Sequence, residues 1–221
     1  MRMSAEDHAR VAAAIRAAEA ETDGEIAVVV AAASDAYDDV VLSAAALVGL
    51  LPLALATAWP GLLVASASLL THWDEPGLRL MLSLLVAACV ALFLAARALF
   101  GLPRLRMLLT PDAIKERRVR ARAIMLFRTG TEKRTLTKTG VLLYISHAEH
   151  HAEIVADAAI HAKAARESWG EAMAALVAGL KAGQAGEGIA AAVAQIGAVL
   201  AVHFPHTGND PNELPDRMIE L

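Results

Sequence analysis

Two stretches decide how this chain is read: VVLSAAALVGLLPLALATA over Val40–Ala58 and LRLMLSLLVAACVALFLAARALF over Leu78–Phe100. No Asp, Glu, Lys or Arg occurs between Val40 and Trp73, or between Leu80 and Ala96. A bilayer core about 30 Å thick is crossed by roughly 20 apolar residues of helix, each rising about 1.5 Å. Each stretch meets that length. Two core helices of this kind would need a large domain around them, and the rest of the 221 residues is too short and too well patterned to supply it. The expectation is a two-helix transmembrane hairpin over residues 40–101. Trp59-Pro60-Gly61 interrupts the first run, and Trp73 with Asp74-Glu75-Pro76-Gly77 marks water or the interface. Residues 59–77 are therefore expected to connect the spans partly within the interface, with a longer, kinked first helix as the competing reading.

The flanks set orientation. After Phe100 the chain turns basic, with Arg104, Arg106, Lys115, Arg117, Arg118, Arg120 and Arg122, and Arg97 just inside, whereas the connection offers only Arg79. By the positive-inside rule this flank is cytoplasmic, and an even number of spans places both soluble segments on that side. The expected location is the cell membrane, plasma or inner, as a multi-pass protein with a cytoplasmic domain. The bilayer is one partner, and a membrane protein or a second copy of the chain is the other. A solvated helix face with headgroup contacts explains the basic stretch; a specific anionic-lipid site is the sharper alternative. A net charge of −4 gives no reason to propose nucleic acid. Cys89 is the one cysteine, so no intrachain disulfide forms. Met1–Glu21 is charged and helix-patterned, which suggests neither cleavage nor export.

Outside the apolar runs the pattern is that of a small α/β domain. Ser4 caps a helix of about Ala5–Thr22, Asp23-Gly24 breaks it, and the β-branched run Glu25–Ala32 reads as an interior strand. Past the membrane hairpin come a helix of about Pro111–Phe127, a polar loop over Gly130–Thr139, and a strand at Val141–Ser146. A shorter strand at Ala152–Ala156 follows through His147-Ala148-Glu149-His150-His151, and the short link predicts an antiparallel hairpin. Trp169, Met173, Leu176, Val177 and Leu180 fall at helical spacing, and Gly183–Gly188 is read as the loop that ends that helix. Ile189, Val193, Ile196, Leu200 and Phe204 form the stripe of a last helix stopped by Pro205. Residues 206–221 are expected to be a flexible tail. The domain is thus split into 4–36 and 111–205. Its first strand has no other partner before the membrane, so Glu25–Ala32 and Val141–Ser146 are expected in one sheet.

Chemistry-bearing residues are few. There is no phosphate-cradling glycine loop, no His-Glu-x-x-His and no nucleophile elbow. His147, His150, His151 and Glu149 form the densest set of potential ligands for zinc or nickel, but strand alternation sends His150 and His151 to opposite faces, so only part of the set can converge. The acids Asp23, Glu25, Asp35, Glu153 and Asp157 lie at strand ends or edges, where a hard cation would need six or more gathered oxygens. Ser43, Thr57, Ser66, Ser68 and Ser83 can bond back to their own helices, and no acid or base marks an ion path, so transport by this chain alone is not expected.

The segments GVLLYIS over Gly140–Ser146 and HAEHHAEIVAD over His147–Asp157 resemble the TPM domain family, which includes thylakoid-lumen and photosystem-II-repair proteins and bacterial membrane-linked relatives. Trp169, Gly183, Gly186, Gly188 and His203-Phe204-Pro205 follow in matching order, and TDGEIAVVV over Thr22–Val30 resembles the family's first strand. The resemblance implies an α/β/α sandwich with a small mixed sheet and a transmembrane hairpin inserted after the first strand. Two departures stand out: Ala158-Ala159-Ile160-His161 replaces a glycine-rich turn, and the charge pattern puts the domain inside the cell, where family members carry it outside. The leading expectation is an accessory or interaction module on the cytoplasmic membrane face, with no cofactor required. One alternative implied by the family is a phosphatase using a divalent cation such as calcium, held by Asp157 with Glu153 and Glu25. The other is a metal-binding turn built on His147 and His150.

Overall fold

The computed structural model describes residues 3–71, 75–131, 139–164, 166–207 and 215–221. The readings made at Trp73 and Asp74, and over most of the Gly130–Thr139 loop, lie outside the described residues. In chain order come α1 (Ala5–Glu19), β1 (Glu25–Ala31), α2 (Asp38–Gly49), α3 (Leu51–Ala58), α4 (Pro60–Thr71), α5 (Leu78–Phe100), α6 (Pro103–Leu109) and α7 (Asp112–Leu126). After a π turn at Phe127–Thr131 follow β2 (Gly140–Ser146), β3 (His151–Ala156), α8 (Ala158–Lys163), a 3-10 turn at Arg166–Trp169, α9 (Gly170–Lys181), α10 (Ala185–His203) and β4 (Met218–Glu220). Two units divide the chain: Met1–Asp35 with Ala113–Leu221, and Ala36–Asp112.

The first unit is built on a mixed four-stranded sheet in the order β3-β2-β1-β4. β1 and β2 pair in one sheet, as expected, and run parallel in register from Glu25 opposite Gly140 to Ala31 opposite Ser146. β2 and β3 form the expected antiparallel hairpin, Val141 opposite Ala156 and Ser146 opposite His151. Every residue of β2 is buried, because helices cover both faces of the sheet. Ile26, Val28, Val30, Val141, Leu143 and Ile145 meet Val11 and Ile15 of α1, Leu176 of α9 and Ile189, Val193, Ile196 and Leu200 of α10. On the opposite face Val29, Ala31, Leu142 and Tyr144 pack on Val119 and Ala123 of α7 and on Phe127.

The flexible tail expected over 206–221 is corrected at its end. Met218–Glu220 adds a parallel edge strand to β1, with Val28 opposite Met218 and Val30 opposite Glu220. β1 otherwise presents an open edge of unpaired N–H and C=O groups, and Met218, 3% exposed, fills the apolar layer beneath it. Glu220 also meets His8 of α1 at 2.6 Å. Three residues so close to a chain end carry too little pattern to be read as a strand.

Local chemistry explains the helix ends. Ser4 and Asp7 form a reciprocal capping box at α1: the Asp7 N–H donates to Ser4 Oγ at 3.1 Å and the Ser4 N–H to Asp7 Oδ2 at 3.0 Å. α9 ends in a Schellman motif, with Gly183 at φ +75, its N–H on the Leu180 carbonyl and the Gln184 N–H on the Gly179 carbonyl. Gly183–Gly188 as a loop is corrected here. Gly186 and Gly188 lie in the first turns of α10, and their role is close approach. A Cβ on Gly179 would stand 2.3 Å from the Gly188 Cα, so α9 and α10 cross backbone to backbone. Gly197 makes the same allowance for α1, where a Cβ would stand 2.5 Å from that of Ala18.

In the second unit, residues 59–77 do not form a plain connection. Pro60–Thr71 is helix α4, which favours the competing kinked reading. Trp59 leaves helical conformation at φ −135, ψ 75 because the Pro60 ring disfavours an α conformation in the residue before it. Pro52 breaks the first run more gently, between α2 and α3, by removing one backbone donor. Gly49 lets α2 and α5 approach, since a Cβ there would lie 2.8 Å from that of Phe93. Helices α6 and α8, which the sequence pattern does not signal, are short segments of seven and six residues.

Replacing Gly179 by Ala tests the α9–α10 crossing. Helix propensity alone would favour Ala by about 1 kcal/mol, but a methyl group driven into backbone costs about 1–3 kcal/mol. Thermal unfolding of Gly179→Ala is expected to show a lowered midpoint. An unchanged or raised midpoint would show that the helices are not in backbone contact there.

Candidate functional site

Of the acids singled out in the sequence, Asp23, Glu25 and Asp157 lie at the end of the sheet where β1 and β2 begin, and Glu153 and Asp35 lie away from it. Asp157 follows β3 and is 5% exposed. Its Oδ2 accepts from the Gly140 N–H at 2.9 Å and its own N–H donates to the Gly140 carbonyl at 3.0 Å, so it clasps the start of β2 to the end of β3. Glu25, also 5% exposed, begins β1 directly opposite Gly140, at the same end of the sheet. Glu153 lies opposite Tyr144 within β3. Four residues of strand place it about 13 Å from Asp157 along the chain. Asp23 is bound by Thr207, whose N–H and Oγ1 reach its carboxylate at 2.8 and 2.6 Å, and these bonds hold the carboxyl below its usual range. Asp35 pairs with Arg118.

The histidine turn is likewise divided. Glu149 turns inward, 4% exposed, and accepts from the Ser34 N–H at 2.8 Å and from Ser146 Oγ at 2.5 Å. Ser34 Oγ in turn meets Tyr144 Oη at 3.0 Å and Ser146 Oγ at 2.9 Å. This closes a polar network beneath the turn, and a carboxylate so engaged is not offered to a metal. His147 and His150 stay exposed, edge to face with ring centroids 6.0 Å apart, and His150 takes the left-handed conformation at φ 53 that lets the turn close. Among the described residues no three His, Cys, Asp or Glu side chains gather at separations that hold a metal ion.

What the turn does border is a cavity of about 550 Å³. Its wall is apolar, with Ile145 and Ala152 of the sheet, Leu176, Val177 and Leu180 of α9 and Ile189 of α10; its polar side chains are His147, His150, His151, Ser146 and Lys181. Sequence periodicity assigns Val177 and Leu180 to the core, yet they are 41% and 37% exposed. The signal that was available is Lys181, immediately after them at the end of the helix. Nor could spacing foretell that Ser34, more than a hundred residues before Tyr144 and Ser146, shares their hydrogen bonds.

Fold and site together define a mixed α/β unit, with helices on both sheet faces, carried by a chain that also holds long apolar helices. No family model matches the chain, and no curated protein matches it. A solved structure is similar over its whole length: the NMR structure of BA42 protein from the psychrophilic bacterium Bizionia argentinensis, with a TM-score of 0.58 and 18% identity, covering 100% of this chain and 97% of that one. At that identity the likeness concerns the fold.

His147 gives the site a pH signature. Although His147 is exposed, partial desolvation first, and then neighbouring positive charge including His150, holds its imidazole below the ordinary 6.5. The unfolded chain therefore binds this proton at higher pH than the folded one. The stability contribution is complete above the unfolded value of about 6.5 and is lost as pH falls from there through the folded value. An NMR titration should place the His147 midpoint below 6.5, with the acid side of the stability curve flattened in His147→Gln. A midpoint at or above the ordinary value would contradict this.

Proposed function

We propose that this chain is an integral membrane protein carrying a TPM-like α/β module, which serves as an accessory or interaction module on the cytoplasmic membrane face. The observation that carries the reading is the surface of the apolar helices. Asp38–Ala58 and Leu78–Phe100 have 21 and 23 residues and mean hydropathies of 2.3 and 2.5, and the apolar window of the second has none of its residues buried. Leu47, Leu69, Leu82 and Leu94 are each about half exposed or more. A soluble protein rarely leaves so continuous an apolar surface in water. Ala185–His203 is a useful contrast, long and apolar as well but half buried, with its stripe in the core of the α/β unit.

The polar groups of these helices suit a lipid solvent. Ser43 donates to the Asp39 carbonyl, Thr57 to Ala54, Ser66 to Leu63, Ser68 to Val64 and Ser83 to Arg79, all between 2.7 and 2.9 Å. Hydroxyls bonded within their own helix need no water. The basic flank after α5 supports the cytoplasmic orientation. Reporters active only in the cytoplasm, fused at each terminus, are both expected to be active. Activity at one terminus alone would overturn the two-span reading.

The phosphatase alternative has a direct assay. Under the module reading, the purified protein does not hydrolyse an aryl phosphate with calcium, magnesium or manganese, because the Asp157 carboxylate is engaged by the Gly140 N–H. Metal-dependent turnover abolished in Asp157→Asn, with folding retained, would replace the module reading by a metal-dependent hydrolase.

A further inference from the structure

We propose that the cavity beside the histidine turn binds a single-chain amphiphile with an anionic head, its apolar chain lying against α9 and its head at Lys181 and the turn histidines. The site is distinct from the acids considered for metal chemistry and lies wholly within the α/β unit, so the inference does not depend on how the apolar helices are disposed. Three observations converge on this chemistry. The first is size: about 550 Å³ falls within the roughly 300–1,000 Å³ typical of small-molecule sites. The second is the wall, where α9 leaves Val177 and Leu180 partly exposed facing the sheet residues Ile145 and Ala152, and where Met3 and Met173 add unbranched, adaptable side chains.

The third is charge. The side chains lining the cavity that can carry charge are Lys181, His147, His150 and His151; no carboxylate is among the described residues that line it. The nearest acid in sequence, Glu149, is buried and turned to Ser34 and Ser146, so its carboxylate does not line the cavity. Glu187, near the start of α10, is engaged by Arg10 at 3.3 Å. An apolar chamber bordered by cationic and hydrogen-bonding groups selects a ligand with the opposite arrangement: a hydrocarbon chain ending in a carboxylate or a phosphate monoester. A neutral apolar molecule would leave the charged border unused, and a small anion would leave the chamber empty.

The test uses the full chain in lipid nanodiscs, with bound probe counted by native mass spectrometry. Dodecanoate, dodecyl phosphate and dodecanol are compared at equal free concentration. At least one anionic probe is expected to bind at one per chain and about tenfold more tightly than dodecanol, and the tighter of the two identifies the head group. Shortening the chain from dodecanoate to decanoate should weaken binding roughly tenfold. Lys181→Glu, a change at an exposed helix end, should weaken the anionic probes about five- to tenfold while leaving dodecanol unaffected. Val177→Trp, which fills the chamber from a partly exposed position, should abolish binding of all three. Equal binding of dodecanol and both anions, or unchanged anion binding in Lys181→Glu, would overturn the assignment of the head. Full binding in Val177→Trp would place the probes elsewhere and overturn the site.

Discussion

The parallel pairing of β1 with β2 is the constraint on which the rest of the structure depends. Seven residues of each strand meet in register across the whole inserted segment. Closing a loop of about a hundred residues costs little more than closing one of half that length, because the entropy grows only with the logarithm of the length. The pairing is nonetheless strongly specified. A slip of one residue would turn Ile26, Val28 and Val30 away from α1 and α10 and expose the polar ends of both strands to the core. Everything else in the α/β unit is fitted to that register: β3 by its short turn, β4 by the free edge of β1, and Asp157 by its clasp on Gly140.

Around the sheet, close helix packing is achieved with absent side chains more than with large ones. Gly179 against Gly188 and Ala18 against Gly197 bring backbones into contact and let a thin helical layer cover a sheet face. Such contacts leave less apolar area to bury than interlocking leucines would, so the energy must come from the larger residues beyond them, Ile15, Leu176, Ile196 and Leu200. Between α9, the sheet and the histidine turn the packing does not close, and a cavity results.

The chain contains apolar helices of two physical kinds. α10 keeps its apolar side chains in a stripe and its small residues at crossings, and half of its apolar window is buried. The apolar window of α5 has no buried residue. Mean hydropathy already ranks α10 lower, at 1.7 against 2.5. What separates them further is packing: half of the apolar window of α10 is enclosed in the core of the α/β unit, and that of α5 is not enclosed at all.

Much of this was legible in the sequence because it depends on local pattern. The β-branched runs at Glu25–Ala31 and Gly140–Ser146, the short His147–His150 turn, the cap at Ser4 and the long uncharged helices each carry a periodic or steric signal within about twenty residues. What only the tertiary structure decided depends on groups far apart in the chain. Met218–Glu220 becomes a strand because β1 offers an edge, and Gly186 and Gly188 lie where α1 and α9 approach α10. The candidate site follows the same division. Sequence could nominate Asp157, Glu153, Glu25, His147 and His150 by residue type, but whether a carboxylate faces a ligand or a backbone N–H is set by the sheet register. The cavity was not legible at all, since it consists of the space left where α9, the sheet and the turn fail to meet, and no residue encodes a space.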